Sequence, residues 1–377
     1  MTVLFRKSTL ILLLSGFVGG YIGSCSGVSI GWLIGAFSFS MLLSLWSPTW
    51  SDLGIKKPAM STPFRKAGQF ILGIQLGQQV TFAILDTIED NAYMIVSVFI
   101  FSISLALLSG WVLKRYSNTN LITSLFATTP GGTTAMASIA DEAGANIMIV
   151  SVIQLMRMLC VIAVIPVILH FVHPAKLNIP HPEVSTLSYT SIFFTLSLVS
   201  FAWFGGKIGK YLRLPAPWLF GSMLFVAFIV SLSSLFHFLV PIWFPFWLPI
   251  LAQILIGISI GSKIRKNMFH GVRKPAMIGT MLSFCFVIIM CFSSVILSNI
   301  TGIPLTTSLL AFAPGGVAEM ATTSLAVHAD VTFVVAVQLM RLVVSLFLLP
   351  LLFRLIERHS TELNSPTKRL KQDTPHL

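Results

Sequence analysis

Long apolar segments separated by short polar stretches organise this chain. Six lie in the first half, at about 8–24, 31–46, 67–84, 92–113, 119–140 and 146–171. Six more lie in the second, at about 186–205, 216–239, 247–262, 275–298, 303–325 and 331–353. A helix that crosses a bilayer core of roughly 30 Å needs about 20 apolar residues, so the segments supply ten or more spans. The fifth segment of each half differs from the rest. It is broken by Pro-Gly-Gly and is rich in Thr, Ser and Ala. Proline removes a backbone donor and paired glycines favour irregular backbone, so no continuous helix is expected there.

The two sets of segments repeat one another. Gly19-Gly20, Gly23, Trp32 and Gly35 return as Gly205-Gly206, Gly209, Trp218 and Gly221. Gln69, Gly73 and Gly77 return as Gln253, Gly257 and Gly261. Pro130-Gly131-Gly132 returns as Pro314-Gly315-Gly316, and Gln154-Leu155-Met156-Arg157 as Gln338-Leu339-Met340-Arg341. Four blocks in constant order mark a tandem duplication. The predicted organisation is a membrane repeat over 1–172, a polar linker over 173–185, a second membrane repeat over 186–356, and a polar, disordered cytoplasmic tail over 357–377. Arg6-Lys7 and the Ile22-Gly23-Ser24-Cys25 box resemble a signal sequence. The same glycine pattern recurs deep inside the chain, so 8–24 is read as a retained first helix.

Composition sharpens the class. Of the 377 residues 55% are hydrophobic and only 10% charged, with 30 Phe and 8 Trp, and mean hydropathy is +0.89. A soluble domain is about a quarter charged, so a water-soluble enzyme with one buried core is excluded. The net charge of +12 does not point to nucleic acid, because no basic stripe interleaved with aromatics lies outside the apolar runs. Basic residues instead orient a membrane chain. If all twelve segments crossed, 8 basic residues would lie outside and 14 inside. If each broken fifth segment returns to its own side, 21 lie inside and Lys176 alone outside, with Arg157 and Arg341 left within the membrane. The expected fold is therefore an all-α polytopic membrane protein. It has two inverted repeats, each of about five transmembrane helices plus one Pro-Gly-Gly broken or re-entrant segment, and both termini are cytoplasmic. A different non-crossing segment would give the same parity.

Inverted repeats with discontinuous helices are the architecture of secondary transporters, whose site lies near the bilayer midplane. Irregular backbone at that depth must be buried in protein or line a cavity. Pro130, Gly131, Gly132, Pro314, Gly315 and Gly316 are thus candidate site residues. Thr133 and Thr134 begin a half-helix whose free N–H groups suit an anion; a kink for packing is the plainer alternative. Arg157 and Arg341 fall mid-segment, where a charge costs at least about 2.5–3.5 kcal/mol and needs a partner or an aqueous cavity. Gln154 and Gln338 precede them by three residues and share their helix face. These four side chains either contact an anionic solute or clamp backbone carbonyls. Glu319 stands where the first half has Ala135. It is expected to pair with Arg341 or Arg157, and is either a proton-coupling group or a plain salt-bridge partner. Asp141, Glu142, His328 and Asp330 are read as solvated loop residues.

Catalytic constellations are absent from the sequence: no Walker loop, no nucleophile elbow, no haem-attachment motif and no His or Cys spacing for a metal. The four cysteines lie in or beside apolar segments and are read as structural thiols. No cofactor and no enzymatic activity are expected. At the blocks PGGTTAMASIADEAGAN, PGGVAEMATTSLA and the two QLMR elements, the chain resembles the AbrB family of bacterial integral membrane proteins, and the resemblance covers nearly the whole chain. Members are often labelled ammonia monooxygenases or regulators of gene expression. The fold the resemblance implies is similar to the cation-antiporter and anion-transporter superfamily, and the location it implies is the bacterial inner (plasma) membrane. Two functions follow as expectations. One is a secondary transporter or exporter of a small, anionic solute coupled to H⁺ or Na⁺. The other is a membrane sensor that affects gene expression through a cytoplasmic partner. Membrane lipid is a partner in either case, nucleic acid in neither, and a homodimer is compatible with both.

Overall fold

A computed structural model describes residues 7–25, 30–46, 61–79, 88–131, 133–172, 189–212, 214, 216–236, 242–264 and 266–345. The first half contributes α1 (Lys7–Cys25), α2 (Gly31–Leu45), α3 (Ser61–Gln79), α4 (Ala92–Ser117), α5 (Leu121–Thr128), α6 (Thr133–Glu142) and α7 (Ile147–Val172). The second contributes α8 (Tyr189–Tyr211), α9 (Pro217–Leu235), α10 (Trp247–Gly261), a 3-10 turn (Lys266–Phe269), α11 (Arg273–Thr301), α12 (Leu305–Phe312) and α13 (Val317–Ala326), then α14 (Val331–Ser345). Helices α4, α7, α8, α9 and α11 are long and apolar enough to cross a bilayer, and α1, α2, α10 and α14 are shorter apolar helices. Large apolar side chains such as Phe171, Phe193, Phe236 and Phe292 are two-thirds exposed or more, which suits lipid and not water. The chain is an all-α polytopic membrane protein. The expected linker, the tail, Lys56, Lys57, Asp86, Gly132 and Lys176 lie outside the described residues.

Helix limits depart from the apolar segments where a polar turn belongs to a helix. The segment expected at 67–84 begins at Ser61 as α3, because its first turn, Ser61-Thr62-Pro63, tolerates a proline that has no N–H to lose there. Each expected fifth segment is two short helices.

Glycines set the first group of helices. A Cβ on Gly35 of α2 would overlap the carbonyl oxygen of Gly19 in α1, and one on Gly221 of α9 would overlap that of Gly205 in α8. These two pairs cross backbone to backbone, as small residues allow in membranes. The third helix of each half then packs on the second helix of the other half. A Cβ on Gly73 of α3 would lie 2.7 Å from the Leu219 carbonyl oxygen of α9, and one on Gly257 of α10 would lie 2.6 Å from that of Leu33 in α2. Helices α3 and α10 also pack on each other. Leu33, Leu72, Leu219 and Ile256 fill the shared core.

The second group is built on α4 and α11, which run antiparallel. The start of α11 (Val272, Ala276) shares a core with the end of α4 (Leu113) and with α5 (Leu125). The later part of α11 (Phe286, Met290) shares one with the start of α4 (Met94, Ile95) and with α12 (Leu309, Leu310). The short helices are held by matching caps. The Asn120 side chain accepts from the Thr123 N–H at 2.9 Å and starts α5. The Asn146 N–H donates to Thr123 Oγ1 at 2.9 Å, while its side chain accepts from the Met148 and Ile149 N–H groups and starts α7. In the second half the Asp330 N–H donates to Thr307 Oγ1 at 3.1 Å, and the Asp330 carboxylate accepts from the Phe333 N–H at 3.0 Å.

Those caps fix the path of the broken segments. The beginning of α5 touches the residue that follows α6, so the chain enters and leaves at one level; α12 and α13 do the same. Each is a hairpin. With 8 and 10 residues per arm, the arms extend roughly 12–15 Å, about half the bilayer core. One hairpin starts at the end of α4 and the other at the end of α11, so antiparallel packing sends them in from opposite ends of the bundle.

Candidate functional site

The hairpin tips converge on one cavity of about 80 Å³. Pro130 and Gly131 come from the first tip, and Pro314, Gly315 and Gly316 from the second. Gln154 and Arg157 of α7 and Gln338 and Arg341 of α14 complete that wall. The opposite wall is α3, through Arg65 and Gln69, and the start of α9, through Leu219 and Phe220. The cavity therefore lies between the two helix groups.

Both QLMR elements act on the carbonyl ends of the first hairpin arm, where four backbone acceptors lack helical partners. Gln154 is fully buried and donates through Nε2 to the carbonyls of Phe126 (2.9 Å) and Thr129 (2.8 Å). Arg157 donates to the Thr128 carbonyl (3.2 Å) and the Gln154 side-chain oxygen (2.8 Å). The pattern returns 184 residues later. Gln338 Nε2 donates to Leu310 (2.8 Å) and Ala313 (3.1 Å). Arg341 donates to Phe312 (3.4 Å), Ala313 (2.8 Å) and Gly315 (3.1 Å), and to the Gln338 side-chain oxygen. Of the two readings of these arginines, the geometry supplies the carbonyl clamp directly. Arg157 Nε has no hydrogen-bond partner although it is buried.

Glu319 is 5% exposed and sits in the first turn of α13. Its carboxylate folds back over Gly316, where a Cβ would collide with it, so it covers the free N–H end of the helix that favours negative charge. The expected pairing with Arg341 or Arg157 is not what forms. Arg341 is drawn to carbonyls on the far side of the break, and the basic groups whose charge acts on Glu319 are Arg65 and Lys263. Lys263, in the turn after α10, is held down to about 8 by burial and by the Arg65 charge, with Glu319 opposing.

The tip residues, both QLMR pairs and Glu319 are thus brought together. Thr133 opens α6 with Thr134. Asp141, Glu142, His328 and Asp330 are exposed, and Asp330 also caps α14. Sequence reasoning missed Arg65, which precedes the segment expected at 67–84, and the site role of Gln69, used only as a repeat marker. Their spacing of four residues, which stacks them on one helix face, was the available signal. Among the described residues no group of three His, Cys, Asp or Glu is placed to hold a metal, and all four cysteines are free thiols.

This is a helical membrane protein with a cavity at the meeting point of two broken segments, into whose lining buried charged and amide side chains are brought. Residues 32–357 match the family described as "Transition state regulatory protein AbrB", and the chain belongs to that family. It is 40% identical over 346 residues to "Uncharacterized protein YhjN" of Bacillus subtilis (strain 168), covering 90% of each chain. It is 27% identical over 295 residues to "Putative regulator AbrB" of Escherichia coli (strain K12), covering 78% of this chain and 83% of that one. No solved structure matches.

Proposed function

We propose that the protein is a secondary transporter or exporter of a small anionic solute, bound between the two hairpin tips and coupled to H⁺ or Na⁺. The observation that carries this reading is the cavity: two half-depth hairpins meet there, between two separately packed helix groups. Three guanidinium groups (Arg65, Arg157, Arg341) and one carboxylate (Glu319) line it, a formal balance of +3 − 1 = +2 that suits an anion. Two inverted repeats, over 1–172 and 186–356, account for the hairpins entering from opposite ends. Rocking of one group against the other would expose the site to each side in turn. The solute passes unchanged, without enzymatic chemistry. A metabolite screen by thermal shift on the purified protein, followed by flux of the hits into proteoliposomes, tests the proposal; absence of flux for every stabilising anion would reject it.

The setting is the inner membrane with both termini cytoplasmic. In a cysteine-free background, single cysteines at Lys57, Arg115 and Lys266 are expected to resist an impermeant maleimide in intact cells. Cysteines at Asp90 and Lys176 are expected to label. Labelling at Lys266 from outside would overturn the inverted arrangement.

Glu319→Gln is expected to flatten the pH profile of flux while the protein stays folded. An unchanged profile would leave Glu319 a structural cap.

A second reading, a membrane sensor acting through a cytoplasmic partner, draws on the name of the Escherichia coli relative. It predicts that deleting 357–377 abolishes an effect on gene expression while flux persists.

A further inference from the structure

Two charged residues of the cavity have no counterpart 184 residues away. Arg65 corresponds to Pro249, and Glu319 to Ala135. The arginines and glutamines of α7 and α14 come in matched pairs and spend their donors on matched carbonyls. The unmatched pair is opposite in charge and comes from opposite walls, Arg65 from α3 and Glu319 from α13. Gln69 lies one turn beyond Arg65 on the same wall. It is 5% exposed and lines the cavity with Arg65. Arg157 Nε is buried and unpartnered, in a side chain that lines the same cavity. An unused donor in so enclosed a place calls for an acceptor, because an unmet buried donor costs free energy.

We infer that the N-terminus of α13, which the Glu319 carboxylate covers and which lines one cavity with Arg65 and Gln69, is a carboxylate site, and that a solute monocarboxylate takes the place of the Glu319 carboxylate there when Glu319 binds a proton. This rests on the transporter reading and deepens it by naming the solute class and the coupling ion. Among the described residues, the other charged groups that line the cavity are all basic, Arg65 on α3, Arg157 on α7 and Arg341 on α14, and the Lys263 charge after α10 also acts on Glu319. An ionised Glu319 neutralises one positive charge. A proton moving from water onto its carboxylate vacates that position, and the carboxylate of the solute restores the same charge. One proton enters with each monoanion, so the exchange is electroneutral and the net charge of the loaded site equals that of the empty one. Arg65 and Glu319 stand on different helix groups, so the exchange also alters what joins the groups.

Acetate and formate serve as probes, and binding is read as melting temperature, so no transport is required. Glu319→Ala is expected to gain about 3 °C, saturably, at a hundredfold excess of acetate over its Kd. Arg65→Gln/Glu319→Ala is expected to gain nothing. If Glu319→Ala fails to fold, Glu319→Gln replaces it and is expected to bind acetate at neutral pH more tightly than the wild type does. In the wild type, calorimetry in buffers of different ionisation enthalpy should find one proton taken up per acetate bound, and none for Glu319→Gln. Failure of acetate and formate to act on either Glu319 variant overturns the site. Equal stabilisation with and without Arg65 also overturns it, since the helix end alone would then hold the anion. Binding to the wild type without proton uptake overturns the exchange. A transporter that moves other anions without these signatures would leave the broader proposal standing. A protein with the signatures but no flux would leave only the site.

Discussion

Arg341→Ala is expected to destabilise the purified protein by about 3–5 kcal/mol, the range for removing one partner of a buried charged network. Arg341 serves three carbonyls, those of Phe312, Ala313 and Gly315, besides the Gln338 side chain. Without it those acceptors stay buried at the hairpin tip, where lipid and packed helices exclude replacement donors. The effect should appear as a large fall in melting temperature in detergent. Arg157→Ala should cost less, about 1–3 kcal/mol, because Arg157 serves one carbonyl, that of Thr128. Arg341→Lys should recover only part of the loss, since an ammonium lacks the planar fork that spans several acceptors. If the arginines instead serve mainly to grip solute, Arg341→Ala would keep its melting temperature and lose only binding.

A comparable loss is expected from Gly35→Ala. The added methyl would occupy the position of the Gly19 carbonyl oxygen, and backbone cannot swing aside as a long side chain can. Helices α1 and α2 would have to separate, losing the close approach on which association in lipid depends. We expect about 3 kcal/mol, the upper part of the range for overpacking. Gly221→Ala, at the equivalent crossing of α8 and α9, should behave alike. Normal thermal stability in both variants would show that these crossings relax freely.

Much of this was legible in the sequence because membranes permit few solutions. Apolar length marked the spans, and Pro-Gly-Gly marked the breaks at Pro130 and Pro314. Mid-segment charge singled out Arg157 and Arg341. What the sequence concealed was who partners whom. Arg341 and Glu319 lie on consecutive helices and carry opposite charges, so pairing them was natural. Yet Arg341 is used by the carbonyls of its own hairpin, an attraction that leaves no trace in side-chain identity. Arg65 was hidden because hydropathy began its segment at 67, two residues past it, whereas the helix begins at Ser61. The packing of α3 against α9 was invisible for a related reason. The glycines at 73 and 77 announce a close approach without saying to what.

That last contact constrains how the molecule is made. Helix α3 ends at Gln79 and its partner α9 begins at Pro217, so about 140 residues must be synthesised between them. At roughly 5–20 residues per second, the Gly73–Gly77 face waits about 7–28 seconds beside lipid or an insertion factor. Neither half can close its own bundle, because each lends its third helix to the other. A half-length forerunner would have met the same demand only by trading that helix with a second copy of itself. Fusion of two such genes would then turn an encounter between chains into a delay within one.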